Sequence, residues 1–287
     1  MPTYTVANLS GSVGKTTTVV TIAVLLAASG LRVRVIDLDP QANASTWLGY
    51  PDIEGRTITD VLRLDASLGE VERPARVYDF FEDGDPVYSD EGHLGNLTIV
   101  PAARSSLDKL MVELPAVTGG VLRLRDALES AVPVDITLID SPGSNSALVT
   151  TALIASSVEE EGPAGAWGLI TCTKPAGKEA EGIQALLREL AVIKKTFRID
   201  IPLLAIVPCA VPSAGTVYRE QMEFLQEGFG GIVTPSVRRS SIVDEAYTNF
   251  LPVPLYGYKA KDVTADYRKV LAHMKQNRMF EPAAVKA

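Results

Sequence analysis

Short apolar runs alternate with longer segments of helical length along the 287 residues of the chain. The apolar runs have the length and residue types of buried strands. They lie at Tyr4 to Ala7, Val33 to Ile36, Leu97 to Val100, Ile136 to Ile139, Trp167 to Cys172 and Leu203 to Val207. Helices are predicted at residues 16–29, 105–113, 120–131, 147–155, 178–196, 216–227, 242–248 and 263–276. This alternation predicts an α/β fold, with a mainly parallel sheet covered by helices on both faces.

The composition, with 46% hydrophobic and 22% charged residues, is typical of a globular protein. The sequence contains no internal repeat and no low-complexity linker, which favours one domain over residues 1–287. Acidic residues cluster with Gly and Pro around residues 65–95. That segment is predicted to form a solvated insertion or lobe at one edge of the domain.

The net charge of −8 argues against broad binding to nucleic acid, but the charge is unevenly distributed. From Ser236 onward, nine Lys or Arg residues stand against five Asp or Glu residues. The carboxyl-terminal region 236–287 is therefore basic, whereas the remainder of the chain is strongly acidic. The charge alone is equally consistent with a solvated basic face.

The sequence gives no indication of a disulfide, a metal site, a membrane-spanning helix or a secretion signal. Cys172 and Cys209 have no close spacing, so both are interpreted as buried small residues and not as a disulfide or a zinc site. His93 and His273 are too scattered to suggest a metal site. We find no uncharged apolar run of the roughly 20 residues that span a bilayer. The amino terminus has no secretion-signal pattern, so the expected location is the cytoplasm.

Residues 8–17 join the first predicted strand to the first predicted helix through a Gly-rich turn that is typical of a P-loop. The backbone N–H groups of such a turn face phosphate oxygens, which requires small residues. Lys15 would add a positive charge for the β- and γ-phosphates, and Thr16 a hydroxyl for Mg²⁺. The helix that follows directs its positive end at the anion. Leu9 stands where the strict P-loop pattern has its first Gly.

Two further strands are predicted to end in carboxylates. Asp37 and Asp39 follow the strand that begins at Val33, and Asp140 ends the strand that begins at Ile136. Ligands of open α/β sheets gather at the carboxyl ends of strands, where a buried charge needs a partner. A Mg²⁺ ion with its nucleotide, or an attacking water, would supply that partner. Asp140 has the position of a Walker B acid.

A third strand end leads into a loop with two lysines, Lys174 and Lys178. Lys178 stands near a predicted helix start, where the helix dipole disfavours a cation. A ligand that attracts a cation would explain this position, and simple exposure to solvent is the alternative.

Together these motifs resemble the ParA/MinD family of deviant-Walker ATPases, and within it the ParA branch. The resemblance rests on Gly11 to Thr17, on the Asp-x-Asp-Pro-Gln run that begins at Asp37, and on Ile139 to Pro142. It covers nearly the whole chain. It implies a slow, partner-stimulated ATPase that uses ATP and Mg²⁺ and forms a homodimer when ATP is bound. It also implies non-specific binding to DNA, location at the nucleoid, and a ParB-like or McdB-like adaptor protein that links the dimer to a plasmid, chromosome or organelle cargo.

The resemblance also implies roles for individual residues. Asp39 would orient the attacking water, Asn43 would face the partner subunit, and Thr16, Asp37 and Asp140 would hold Mg²⁺. Nucleotide-binding residues would be Gly11, Ser12, Val13, Gly14, Lys15, Thr16, Thr17 and Pro208. DNA-binding residues would be Arg238, Arg239, Lys259, Lys261, Arg268 and Lys269.

The chain departs from the family pattern at Ser10, where a lysine normally reaches across the dimer to the other subunit's phosphates. McdA-type members share this departure. A hydroxyl cannot neutralise charge in the transition state as an ammonium does. We therefore hypothesise that Lys174 or Lys178 supplies the missing cation across the dimer. The alternative is a nucleotide-gated interaction module with little or no ATP turnover.

Two other branches of the fold do not match this chain. Membrane attachment as in MinD needs an amphipathic tail helix, and Pro282 interrupts the only candidate. Iron–sulfur reductases of this fold place cysteines on both sides of the Walker B strand, whereas both cysteines here follow it. No membrane partner is therefore expected.

Overall fold

A computed structural model describes residues 1–82, 85–88, 93–104, 106–157, 165–175 and 179–281 of the chain. Its strands are β1 (Thr3–Val6), β2 (Val33–Asp37), β3 (Arg73–Arg76), β4 (Phe80–Glu82), β5 (Asp85–Val87), β6 (His93–Val100), β7 (Ile136–Asp140), β8 (Trp167–Thr173) and β9 (Leu203–Pro208). Seven of them form one sheet in the order β3-β6-β2-β7-β1-β8-β9, and β4 pairs with β5 in a separate hairpin. All six predicted strands lie in the large sheet, and every pairing among them is parallel.

Each of the eight predicted helices corresponds to a helix of the structure, and three short helices within residues 43–71 were not predicted. The helices are α1 (Lys15–Ala28), α2 (Asn43–Trp47), α3 (Ile58–Arg63), α4 (Leu68–Val71), α5 (Leu107–Ala116), α6 (Arg123–Glu129), α7 (Ala147–Ala155), α8 (Glu179–Phe197), α9 (Thr216–Phe229), α10 (Ile242–Thr248) and α11 (Lys261–Gln276). Short 3₁₀ helices lie at Gly120–Leu122, Gly230–Ile232, Val253–Leu255 and Gly257–Ala260. The predicted starts at Ser105 and Lys178 lie outside the described residues.

Successive side chains of the buried strands pack on opposite faces of the sheet, as the two-residue period of a strand requires. In β2, Val35 packs with α1 and α11 on one face, whereas Ile36 packs with α3, α5 and α7 on the other. The same division separates Leu169 from Ile170 in β8. Because both faces are covered, the strands read as continuous apolar runs, which is why sequence analysis found them.

The edge strand β3 shows that part of the acidic segment belongs to the main sheet. It pairs antiparallel with β6, and Glu72 just before it forms an ion pair of 2.7 Å with the fully buried guanidinium of Arg34. The prediction of a solvated lobe therefore fails for this part of the segment. The run Arg73–Arg76 was missed because it is too polar for a buried strand, and Pro74 is tolerated because the strand is at an edge.

Within the described part of the chain, no helix combines the length and the hydrophobicity that crossing a bilayer requires.

Candidate nucleotide site

A cleft of about 1000 Å³ opens at the carboxyl ends of the central strands. The P-loop forms its floor. Its walls include Asp39, Pro142 to Ser144, Lys174, Cys209, Ala210, residues 237–241 and Tyr247. The site follows from topology, because the chain order changes direction around β1 and leaves a crevice beyond the strand ends.

The P-loop uses two residues with left-handed backbones. Gly14 has φ 95°, and a Cβ added there would lie 3.1 Å from the Cβ and Sγ of Cys209. Glycine is thus required both by conformation and by space. Ser12 has φ 58°, a left-handed backbone conformation that a residue with a Cβ adopts only at a cost. The turn then leads directly into α1, which begins at Lys15.

Lys15 is 6% exposed and its ammonium faces the cleft, where it donates to the backbone oxygen of Ser10 at 3.2 Å. A Cβ on Gly143 would lie 3.1 Å from its Nζ, so the turn after β7 packs directly against this ammonium. The charge thus lies beside the P-loop backbone and within the same cavity as Asp39. This arrangement suits a ligand with several negatively charged oxygens.

Ser10, at the position of the absent lysine, is enclosed by neighbouring elements. The Asn8 amide accepts from the Ser10 N–H at 2.9 Å and donates to the Cys172 carbonyl at 2.7 Å. A Cβ on Gly182 of α8 would lie 2.8 Å from the Ser10 hydroxyl oxygen. The start of α8, which follows the lysine-bearing loop, is therefore packed directly on the beginning of the P-loop.

Asp37 and Asp39 occupy different environments at the end of β2. Asp37 is fully buried and accepts two hydrogen bonds from Ser45, from the backbone N–H at 2.8 Å and from the hydroxyl at 2.7 Å. Burial outweighs these bonds and raises the pKa of Asp37 to about 6. Asp39 is partly buried and faces the cleft, and burial also raises the pKa of its carboxyl.

Asp140 lies beside Asp37, its register partner in the pairing of β2 with β7. Within the described part of the chain, neither of its buried carboxylate oxygens has a hydrogen-bond partner of good geometry. Burial, and next the negative charge of Asp37, raise the pKa of Asp140 well above its usual value, and the Thr16 hydroxyl offsets this only in part. An orphaned buried carboxylate of this kind fits a hard divalent cation.

Among the described residues, no cluster of three or more His, Cys, Asp or Glu side chains is arranged to bind a metal. The protein's contribution to a Mg²⁺ site would be Thr16, Asp37 and Asp140, with phosphate oxygens and waters completing the shell, as Mg²⁺ prefers. The residues predicted for the metal are thus brought together.

Pro208, which was predicted to bind nucleotide, is not among the described residues that line the cleft. Pro208 ends β9 and its carbonyl accepts from the Val237 N–H at 2.8 Å, whereas the following Cys209 and Ala210 line the cleft. Val211 and Val237 continue this pairing through an N–H to carbonyl bond of 3.0 Å. The wall is therefore made by two backbone segments that hold each other in place.

The basic residues of region 236–287 differ in their surroundings. Arg238 and Arg239 line the cleft itself. The Arg238 guanidinium is bound by the carboxylate of Asp266, at 2.6 and 3.0 Å, and lies 3.4 Å from Asp262. Exposed residues include Lys259, Lys261, Arg268 and Lys269, of which Lys259 lies 3.8 Å from Glu245 and Lys269 lies 3.8 Å from Asp266.

Of the two lysines proposed to replace the family lysine, Lys174 is half-buried and lines the cleft. Lys178 lies outside the described residues.

Two aromatic residues at the cleft were missed by sequence analysis. The Tyr247 hydroxyl donates to the Asn43 side-chain oxygen at 2.7 Å, and its ring meets that of Trp47 edge to face, with centroids 5.3 Å apart. Both rings line the cleft. Of these residues, only Asn43 was assigned a role by sequence analysis. The short helix α2 that carries Asn43 and Trp47 has no periodic apolar pattern long enough to detect.

A Gly-containing turn between a parallel strand and a helix, facing acids at two neighbouring strand ends, defines a P-loop nucleotide-binding fold. The chain belongs to the CobQ/CobB/MinD/ParA nucleotide-binding-domain family, whose model matches residues 4–253. The resemblance to ParA and MinD proteins is thereby confirmed.

Individual relatives agree with this assignment. The chain is 28% identical to the chromosome partitioning protein ParA of Caulobacter vibrioides over 260 residues, covering 88% of this chain and 86% of that protein. A Cyanothece McdA variant in complex with ATP superposes with a TM-score of 0.76 at 19% identity, covering 96% of each chain. Cobyrinic acid a,c-diamide synthase of Mycobacterium smegmatis, with bound ADP and magnesium, gives a TM-score of 0.71 at 23% identity and 98% coverage of each chain.

Proposed function

We propose that this protein is a ParA-like ATPase that dimerises on ATP, associates with DNA without sequence preference and positions a cargo through an adaptor protein. The observation that carries the nucleotide and metal part is the orphaned carboxylate of Asp140, register partner of Asp37 at the end of β7, beside a P-loop with a buried Lys15. Such a charge is costly in the free protein and is stabilised once a divalent cation is bound.

Each residue of the site has a proposed role in binding or hydrolysing the nucleotide. Backbone N–H groups of the P-loop and the ammonium of Lys15 would bind the phosphates, and Thr16, Asp37 and Asp140 would hold the cation. Bound Mg²⁺ would neutralise charge that develops on the phosphate oxygens. Asp39, which faces the cleft, would orient the attacking water and accept its proton, a role that its raised pKa favours.

Calorimetry with Mg-ATP tests nucleotide binding directly. We expect saturable binding by the full chain, loss of binding in Lys15→Ala, and retained binding with lost turnover in Asp39→Ala. Lys194→Ala is the matched control, since Lys194 is an exposed lysine paired with Asp200 on the surface. Absence of binding by the unmodified chain would overturn the proposal.

Two residues support the proposal of a dimer in which a cation acts across the interface. Ser10 stands where family members have a lysine, and Lys174 is a cation that lines the cleft at the end of β8. We expect Lys174→Ala, or Lys178→Ala if the other lysine acts, to weaken ATP-dependent dimerisation measured by light scattering after gel filtration. Nucleotide binding by the monomer should persist. Full dimerisation of both variants would overturn this part.

DNA binding rests on the exposed cations of region 236–287. Each phosphate contact that is removed should reduce the slope of log affinity against log salt by about 1. We expect a reduction of about 2 in the double variant Lys261→Glu with Arg268→Glu, which removes two such contacts. Arg238 is already neutralised by Asp266, so Arg239→Glu should weaken DNA retention more than Arg238→Glu. Arg56→Glu serves as a control for surface charge, because Arg56 lies outside the basic region.

The alternative function, a nucleotide-gated interaction module with little turnover, is favoured by one observation, the serine at position 10. Phosphate release separates the two functions. Turnover that rises with DNA and with a ParB-like or McdB-like adaptor protein supports the ATPase, and its absence in the presence of tight Mg-ATP binding supports the module. The protein encoded by the neighbouring gene is the first adaptor to test.

A further inference from the structure

The two cysteines of the chain meet beneath the cleft, at the ends of the neighbouring strands β8 and β9. The Cys172 thiol donates to the Thr18 hydroxyl oxygen at 3.3 Å, and the Cys209 sulfur lies 3.7 Å from that same oxygen. The Cys209 N–H donates to the Thr173 carbonyl at 2.7 Å, which fixes the two strand ends together. Two residues interpreted as unrelated small core side chains are thus a thiol pair.

The two thiols have unequal surroundings. Cys209 lines the cleft, whereas Cys172 is fully buried behind it. The nearby Cys172 thiol lowers the pKa of Cys209, and the Thr18 hydroxyl, the Tyr267 hydroxyl and the Lys174 charge act in the same direction, against the opposing effect of burial. Burial raises the pKa of Cys172 well above its usual value. Since the thiolate is the nucleophile, Cys209 is the reactive member and Cys172 the neighbouring thiol that can resolve it.

We propose that hydrogen peroxide oxidises this pair to a reversible Cys172–Cys209 disulfide that closes the cleft to nucleotide. The Cys209 thiolate attacks a peroxide oxygen, the O–O bond breaks, and Cys209 becomes a sulfenic acid while the released hydroxide takes up a proton as water. The Cys172 sulfur then attacks the Cys209 sulfur, so that an S–S bond forms, the S–O bond breaks and a second water leaves. The two sulfurs together supply the two electrons that reduce the peroxide, and a dithiol reverses the change.

The link to nucleotide follows from what packs on Cys209, and it rests on the proposed nucleotide function of the cleft. A Cβ added to Gly14 would lie 3.1 Å from both the Cβ and the Sγ of Cys209. The Cys209 side chain therefore packs directly against the P-loop and supports it. A disulfide of about 2.05 Å requires the sulfur to move from its hydrogen-bonding position toward Cys172. That movement removes support from the P-loop and draws in Ala210, which holds a left-handed backbone with φ 51°.

The test uses the full reduced chain, hydrogen peroxide as the oxidant, and mass analysis of intact protein and peptides. Unmodified protein should lose two hydrogens and yield a Cys172–Cys209 crosslinked peptide. Cys172→Ala should stop at a Cys209 sulfenic acid that dimedone captures, and Cys209→Ala should leave Cys172 unmodified. Mg-ATP at about ten times its Kd should slow disulfide formation about tenfold, since that occupancy leaves about a tenth of the clefts open. The oxidised chain should lose Mg-ATP binding and regain it with dithiothreitol.

The possible failures are distinguishable. Two thiols that stay reduced, or a Cys209 sulfenic acid that never forms the crosslink in the unmodified chain, would overturn the proposal. So would a disulfide that forms at the same rate when calorimetry shows Mg-ATP to be bound. A reduced chain that never binds Mg-ATP contradicts the nucleotide function instead, and the crosslink then still reports on the thiol pair. Thermal unfolding of both alanine variants establishes that they are folded.

Discussion

Gly143 lies so close to Lys15 that a Cβ on the glycine would stand 3.1 Å from the lysine Nζ. The same Cβ would lie 3.1 Å from the Cα of Gly11, so it would be wedged between the P-loop backbone and its lysine. The Pro-Gly turn after β7 is therefore a second glycine requirement of the site, separate from the P-loop itself. Sequence analysis named the run Ile139 to Pro142 but not Gly143.

Gly143→Ala should displace the Lys15 ammonium from the position in which it meets phosphate. We expect the Kd for Mg-ATP to rise about tenfold to a hundredfold, because a hydrogen bond to a charged group contributes about 1.5–3 kcal/mol. Calorimetry measures this change. Gly69→Ala is the control, since nothing lies within 4 Å of a Cβ at Gly69 and its backbone is not left-handed. Equal affinities for the two variants would show that the close approach has no consequence.

The buried pair of Asp37 and Asp140 makes the stability of the free protein depend on pH. Burial raises the pKa of Asp37 to about 6, and that of Asp140 well above its usual value. The folded state therefore binds more protons than the unfolded chain, so the stability from this pair is present below about pH 4 and is lost as pH rises through about 6. Carboxylates in ion pairs change stability with pH in the opposite direction. The contribution of Asp37 and Asp140 must therefore be separated from theirs by mutation.

Asp140→Asn should raise the melting temperature of the nucleotide-free protein at pH 7.5, because it removes an unpaired buried charge. Each kcal/mol corresponds to about 2–4 °C in a larger domain. The difference from the unmodified chain should shrink as the pH falls from 7.5 to 4. Mg-ATP should stabilise the unmodified chain and not the variant. Asp108→Asn, at an exposed carboxylate of the cleft, is the control, and the same gain there would contradict the assignment of the effect to burial.

Sequence analysis succeeded where one physical signal was strong. The six buried strands were predicted because both of their faces are covered, so that residues such as Val35 and Ile36 are equally apolar. The P-loop and strand-end acids were found because their chemistry needs specific residue types. The edge strand β3 was missed because Arg73 and Arg76 look like loop residues, and its place depends on Glu72 meeting Arg34 across the fold.

Contacts between distant parts of the chain could not be predicted from local sequence patterns. Cys172 and Cys209 carry no spacing signal, and only the pairing of β8 with β9 brings them together. Tyr247 reaches Asn43 from another helix, which no local period reveals. The Lys and Arg residues of region 236–287 could be counted from the sequence. The ion pair between Arg238 and Asp266 depends on tertiary structure and could not be predicted.

Arg34 and Glu72 provide a test of how the acidic segment is joined to the sheet. The Arg34 side chain is 1% exposed and that of Glu72 is 13% exposed. Glu72→Ala should lower the free energy of unfolding by about 3–5 kcal/mol, since it leaves a buried cation unpaired. Replacing both residues together, as Arg34→Met with Glu72→Leu, should restore a large part of that loss. Urea unfolding measures both changes.

The control for that experiment is Asp200→Ala, which breaks the exposed pair with Lys194, in which the two side chains are 65% and 67% exposed. Its effect should stay below about 1 kcal/mol. If Glu72→Ala cost no more than this control, the segment would be attached to the sheet by other contacts.

Trp47 should report nucleotide binding through its fluorescence. It lines the cleft, its indole N–H donates to the Leu251 carbonyl at 2.8 Å, and its ring contacts Tyr247. Trp167, the second of the two tryptophans in the chain, lies within β8 and does not line the cleft. Addition of Mg-ATP should therefore change the emission of Trp167→Phe, in which Trp47 remains, and leave that of Trp47→Phe unchanged. Calorimetry on both variants establishes that binding persists. A nucleotide response carried by Trp167 alone would place the ligand elsewhere than in this cleft.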